Sequence, residues 1–108
     1  MISAALMPMR RKFIEQLLPR QGQLEALRCA VNEGRDPEAA MSEIAQIAHR
    51  ICGVAETLGF PQIGSLAMAV DRQLTAALSE NERIEASWRA IEPLLEDLLD
   101  EMDVSLAA

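Results

Sequence analysis

Aromatic residues are scarce in this chain of 108 residues, which has two phenylalanines, one tryptophan and no tyrosine. Strand-forming valine and threonine are also few. Leucine, alanine, isoleucine and methionine make up most of the apolar half of the composition, and these residues favour helices. The sequence therefore predicts an all-α fold. A chain of this length has room for one hydrophobic core, so residues 1–108 are expected to form a single domain.

The sequence also lacks a basic surface and a long apolar run. The formal net charge is −7, and the one basic cluster, residues 10–12, is too small for a nucleic-acid backbone. No apolar stretch approaches the length of a transmembrane helix. The mildly apolar residues 1–9 precede the basic cluster, which is the reverse of the order in a signal peptide. We therefore expect a cytoplasmic protein that binds neither nucleic acid nor membrane.

Cysteine and histidine are too few for an evident disulfide or metal framework. The cysteines, Cys29 and Cys52, lie too far apart for a C-x-x-C motif, and in a reducing cytosol both are expected to be free thiols. The single histidine, His49, has Cys52 at i+3 and Gly53 at i+4, where a helix would supply a second metal ligand. A His–Cys pair alone is incomplete, so no metal site is predicted.

Proline and glycine divide the chain into four amphipathic helical segments. The first covers about residues 9–32, and Pro19 with Gly22 predicts a kink or a split within it. The second begins at the N-cap Asp36, followed by a proline at the first helical position, and extends to about Leu58.

The third and fourth segments have similar boundary signals. Gly59 should end the second helix and Pro61 begin the third, while Ser79 and Glu82 form a capping-box pattern for the fourth. Pro93 should bend the fourth helix without ending it. Four such helices with short loops predict an antiparallel up-down four-helix bundle, with or without a short extra helix at the N-terminus. The tryptophan and the methionines are expected in the core.

The second helix is predicted to present the histidine to solvent. At 100° per residue, His49 lies about 160° from Ile51, the centre of the apolar face. The core-facing arc comprises Ile44, Ile47, Ala48, Val54, Ala55 and Leu58. The far side carries Ser42, Gln46, Gly53 and Glu56. A glycine within a helix costs about 1 kcal/mol, so Gly53, one turn after His49, indicates that space beside the imidazole is useful.

An exposed neutral imidazole can act as a nucleophile and become a phosphohistidine. Nothing else in the sequence is equipped for turnover. No paired carboxylates can be placed, no serine or cysteine has a base at motif spacing, and the glycines do not follow a strand as in a phosphate-binding loop. A partner would therefore have to supply the metal and the second phosphoryl-carrying group.

The segment from His49 to Phe60 resembles the signature of histidine phosphotransfer (Hpt) domains. It reads HRICGVAETLGF, and the signature is a histidine followed at fixed spacing by a hydrophobic residue, lysine, glycine, a small residue, a hydrophobic residue and a second glycine. The small apolar residues before His49 and the Leu/Ala-rich residues 61–67 also fit. The four-helix layout extends this resemblance over almost the whole chain.

The resemblance implies a phosphoryl carrier rather than an enzyme. His49 would be the phosphoacceptor, Gly53 would let the phosphorylated imidazole and the partner approach, and Gly59 would end the histidine helix. Response-regulator receiver domains, and a hybrid histidine kinase, would be the partners. The receiver would hold Mg²⁺, and this chain would need no cofactor of its own. Contacts with the receiver would come from Ser42, Gln46, Arg50, Cys52 and Glu56.

One departure from the signature leaves alternatives open. The family usually has lysine three residues after the histidine, where it can offset phosphoryl charge, but this chain has Cys52. Arg50 and Arg72 are the candidate replacement cations. The departure also motivates an alternative function, a docking module that binds a receiver or kinase without transfer. A histidine-kinase dimerisation domain is a third possibility, but it would use two chains, whereas four helices in one chain predict a monomer.

Overall fold

The computed structural model describes residues 3–80 and 83–108, and these residues are almost entirely helical. A short 3-10 helix at Ala4–Leu6 precedes the helices α1 (Met7–Asn32), α2 (Pro37–Ala55), α3 (Pro61–Glu80) and α4 (Ile84–Ala107). No strand occurs within the described ranges. The predicted all-α class is confirmed, and the 3-10 helix is the short extra N-terminal element.

The four α-helices pack antiparallel, as predicted. The backbone of α1 lies against α2 and α4, and that of α3 also lies against α2 and α4, whereas the backbones of the diagonal pairs stay apart within the described part of the chain. The bundle measures 46 × 22 × 18 Å, a long and narrow shape that follows from helices of 19 to 26 residues. None of the described helices is long and apolar enough to span a bilayer.

The core is apolar throughout, and no polar residue among those described is buried. The largest fully buried side chains are Leu17, Leu24, Met41, Ile44, Ile51, Ile63, Val70, Leu74, Ile91, Leu95, Leu98 and Met102. Val54 was predicted to face the core but is 39% exposed, because it lies at the edge of the apolar arc. The prediction for the methionines is wrong at Met7, Met9 and Met68, which are exposed.

Gly59 ends the histidine helix through a Schellman motif. Its φ of +92° is in the left-handed region that favours glycine. The Phe60 N–H donates to the Ala55 carbonyl at 2.8 Å, and the Gly59 N–H donates to the Glu56 carbonyl at 3.1 Å. The predicted stop is therefore confirmed, but regular helix ends at Ala55 rather than near Leu58, because this motif replaces the last α-helical hydrogen bonds.

Helix α2 starts where the sequence predicted, but the predicted capping hydrogen bond is not made. Asp36 is the N-cap residue, and its carbonyl accepts a hydrogen bond from the Ala40 N–H at 3.1 Å. Its φ of 43° and ψ of 61° are left-handed, whereas a capping side chain usually requires extended backbone. The carboxylate consequently makes no capping hydrogen bond, and the predicted side-chain cap is wrong.

The capping box predicted before α4 is also wrong. Ser79 lies inside α3, which continues to Glu80. Glu82, the other member of the predicted box, lies outside the described residues. Helix α4 begins at Ile84 after the N-cap residue Arg83, which has a left-handed φ of 53° and makes no side-chain capping hydrogen bond.

Helix α1 continues through Pro19 and Gly22, so it is not split, and α4 continues through Pro93. All three residues are exposed. Each proline lacks the N–H that would bond to the carbonyl four residues earlier, but on an exposed face water can bind that carbonyl. The helices therefore tolerate these residues without ending.

Gly64 lets α3 approach the end of α2 closely. A Cβ atom at this buried position would lie 3.4 Å from the backbone nitrogen of Glu56 and 3.6 Å from the Cβ of Ala55. The contact sets the alignment of α2 and α3, and the candidate site lies further along the same pair of helices.

We predict that Gly64→Leu destabilises the bundle by about 1–3 kcal/mol, because the added side chain overpacks the α2–α3 contact. Gly22→Leu is the matched control, since a Cβ there meets nothing within 4 Å. The control should leave stability unchanged or raise it by up to about 1 kcal/mol through helix propensity. Urea denaturation of both variants measures the difference, and equal stabilities would contradict the account.

Candidate functional site

His49 lies on the outer face of α2, as the helical pattern predicted. Its side chain is 75% exposed, while Ala48 and Ile51 on the opposite side of the helix are fully buried. The imidazole is therefore anchored to a rigid helix and is open to a partner. No rearrangement of the bundle is needed to reach it.

Asp71 of α3 holds the imidazole in place. His49 Nδ1 lies 2.9 Å from Asp71 Oδ2. The other carboxylate oxygen, Oδ1, accepts a hydrogen bond from the Thr75 hydroxyl at 3.2 Å, one turn further along α3. A carboxylate can only accept, so the shared proton belongs on Nδ1. In the neutral ring, the second nitrogen, Nε2, then keeps a free lone pair.

The sequence prediction missed Asp71. It lies between the buried Val70 and Leu74 on the flank of α3, a position that is ordinary for a solvated aspartate. Only the alignment of α3 against α2 places it beside His49. The carboxylate is 20% exposed, which shields the hydrogen bond more than the exposure of the imidazole alone suggests.

Cys52 occupies the position of the family lysine and supplies no positive charge. Its Sγ lies 3.2 Å from the His49 carbonyl oxygen, to which the thiol donates. Burial raises the pKa of the Cys52 thiol, the negative charge of Asp71 raises that pKa further, and Arg72 partly opposes the shift. The side chain is therefore a neutral thiol at neutral pH.

Several predicted contact residues line a groove between α2 and α3. The groove has a volume of about 590 Å³. It is lined by Ser42, Ala45, Gln46, His49, Arg50, Asp71, Thr75, Leu78 and Ser79. Three of the predicted contact residues, Ser42, Gln46 and Arg50, therefore lie in the same groove as His49.

Gly53 and Glu56 lie on the other side of His49, outside this groove, and both are exposed. A Cβ at Gly53 would meet nothing within 4 Å, so the surface there is open. This side of His49 is therefore an open surface on α2.

Arginine side chains supply positive charge around the site. Arg50, one of the predicted cations, lines the groove with His49. Burial lowers the pKa of Arg20 on α1, and the positive charge of Arg50 lowers it further, so the two guanidinium groups lie close enough to repel. The positive charge of Arg72, the other predicted cation, partly offsets the rise in the pKa of the Cys52 thiol. The sequence prediction missed Arg20, because only helix packing brings α1 to this region.

The sequence profile of the Hpt domain family matches residues 8–105, which cover nearly the whole bundle. The chain belongs to the Hpt domain family. No curated protein and no solved structure matches it. Membership implies phosphotransfer in a phosphorelay and interaction with receiver domains, and Hpt domains act as phosphoryl carriers.

In this Hpt domain, we predict that neutral His49 carries its proton mainly on Nδ1. Asp71→Ala should shift the proton towards Nε2, the nitrogen favoured by an imidazole free in water. Ring ¹⁵N chemical shifts, recorded at a pH where the imidazole is neutral, report the tautomer directly. Asp97→Ala, which removes an exposed aspartate from α4, is the control and should change nothing. A wild-type ring protonated mainly on Nε2 would contradict the assignment.

Proposed function

We propose that this Hpt domain shuttles a phosphoryl group between receiver aspartates through phosphohistidine at His49. The observation that carries the proposal is the hydrogen bond from His49 Nδ1 to Asp71 on an otherwise exposed imidazole. In the neutral ring it leaves Nε2 unprotonated and directed away from Asp71. A nucleophile of this kind requires no further catalytic group in the chain.

In the proposed step, the Nε2 lone pair of His49 attacks the phosphorus of a receiver's aspartyl phosphate. The N–P bond forms as the acyl P–O bond breaks, and the electron pair of the broken bond returns to the receiver's carboxylate. The ring gains positive charge, which the adjacent Asp71 carboxylate stabilises. The receiver would hold Mg²⁺, so this chain needs no cofactor of its own. The reverse step passes the group to another receiver.

The arginines supply the positive charge that the family lysine would otherwise provide. Arg50 lies in the groove beside His49, and Arg20 lies close to Arg50. A phosphoryl group near these side chains would relieve their mutual repulsion. Arg50 is therefore our candidate for the cation that offsets the phosphoryl charge, with Arg20 supporting it from α1.

The receiver would dock over His49 along α2 and the adjoining edge of α3. Ser42 and Gln46 would contact it from the groove, and Gly53 and Glu56 from the open surface on the other side. A single chain completes the bundle, so we expect the carrier to act as a monomer.

The direct test is to mix the protein with phosphorylated receiver domains and measure intact mass. We expect one acid-labile, base-stable phosphate on His49, and none on His49→Gln, which should fold normally because the side chain is exposed. Phosphate that persists in the variant would contradict the assignment. Binding without phosphate on the wild type would instead support a docking module, the alternative motivated by the neutral thiol of Cys52.

Two matched glycine variants test the docking surface. Gly53→Glu should reduce the transfer rate by at least about 100-fold, because the side chain adds bulk and negative charge one turn from His49. Gly22→Glu should transfer normally, because it places the same side chain on α1. A Cβ at either glycine meets nothing within 4 Å, so both variants should fold.

Circular dichroism checks the fold, and rapid quenching measures the rate. Normal transfer in Gly53→Glu would contradict the docking model.

A further inference from the structure

The residues around the nucleophile also form a mixed set of metal-binding atoms. A ring nitrogen of His49, the Sγ of Cys52 and a carboxylate oxygen of Asp71 lie within 4.8 Å of one another. The first two residues are one turn apart on α2, and Asp71 comes from α3. We propose that these three side chains bind a divalent transition-metal ion, with Zn²⁺ as the best fit.

The donor atoms favour zinc over the common hard cations. Nitrogen, thiolate sulfur and carboxylate oxygen are the ligands of zinc sites, whereas Mg²⁺ and Ca²⁺ select oxygen. Three protein ligands leave the fourth tetrahedral position open to water. With Zn–N near 2.0 Å and Zn–S near 2.3 Å, tetrahedral ligand atoms lie roughly 3.3–3.6 Å apart. The three donor atoms here lie within 4.8 Å of one another, so binding requires side-chain rotations that bring them to this spacing.

The surroundings of the three ligands contain both supporting and opposing groups. The Thr75 hydroxyl already orients the Asp71 carboxylate, as an outer-shell partner does in metal sites. The positive charges of Arg50 and Arg72 lie nearby and oppose a cation, although Arg72 also favours the thiolate form of Cys52. A lysine at position 52 would add a third opposing charge and remove a ligand. Cys52 therefore favours a bound cation at a position where the family lysine would favour an anion.

Metal binding would prevent phosphoryl acceptance, a consequence that rests on the proposed function. An ion on Nδ1 of His49 takes the place of the proton shared with Asp71, and the ring proton moves to Nε2. The Cys52 thiol releases its proton to water, so one proton leaves per ion bound. A protonated Nε2 has no lone pair to attack phosphorus. Zinc and phosphoryl group would therefore exclude each other at His49.

Cobalt titration tests the site without reference to phosphoryl transfer. We expect Co²⁺ to bind with one-to-one stoichiometry and to show thiolate-to-cobalt absorption. Cys52→Ser should abolish that band and weaken binding by more than about tenfold, at least the loss seen when an outer-shell partner is removed. Asp71→Ala should also weaken binding, whereas Cys29→Ser, which removes the exposed cysteine of α1, should bind as the wild type does. No band in the wild type, or a band that requires Cys29, would overturn the proposal.

Zinc inhibition then tests the link to phosphoryl transfer. The rate of each protein with Zn²⁺ is divided by its own rate without Zn²⁺, so effects of zinc on the receiver affect every protein equally. We expect at least a tenfold reduction for the wild type and a smaller one for Cys52→Ser. Equal reductions would overturn the proposed exclusion. If the wild type accepts no phosphate even without zinc, the proposed function fails, while the cobalt titration still decides the metal site.

Discussion

The hydrogen bond between His49 Nδ1 and Asp71 Oδ2 is the interaction on which the site depends. It joins two helices, so it forms only when α2 and α3 pack in the correct alignment. The close contact at Gly64 sets that alignment, and the Schellman motif at Gly59 turns the chain between the two helices. A hydrogen bond on so exposed a ring contributes little to stability. Its importance is that it selects the tautomer of His49.

The charge distribution around His49 differs from that of the whole chain. The protein carries a net charge of −7, yet Arg20 of α1, Arg50 of α2 and Arg72 of α3 place positive charge in this one region. Arg20 and Arg50 repel each other, an arrangement that an anionic group between or beside them would relieve. Distributed arginine charge can therefore replace the lysine of the family signature. The neutral Cys52 becomes free for another role.

The sequence predicted the features that depend on one helix at a time. Helical periodicity placed His49 opposite the buried Ile51, and glycine and proline marked the ends of α2 closely. The sequence predictions were wrong where a residue's backbone conformation or exposure depended on how the helices and loops fit together. The left-handed backbone of Asp36 prevented its side-chain cap, and Val54 at the edge of the apolar arc remained exposed.

The residues near His49 also differ in whether the sequence could indicate them. Arg50 could be proposed because it is adjacent in sequence, whereas Asp71 and Arg20 lie on other helices. Neither has a distinguishing local pattern, because an aspartate on the flank of α3 and an arginine on α1 are common on helix surfaces. Only helix packing brings them to the site. The same holds for the proposed metal ligands, since the sequence offered His49 and Cys52 as a pair, but only helix packing brings Asp71 beside them.

We propose that Asp71 keeps the proton on Nδ1 and leaves Nε2 as the nucleophile. The most direct test is to identify the phosphohistidine isomer by NMR of ¹⁵N-labelled protein phosphorylated by a receiver. Coupling between phosphorus and Nε2 of His49 is the predicted result. A phosphoryl group on Nδ1 would contradict the claim, because that nitrogen could not both carry the group and donate to Asp71.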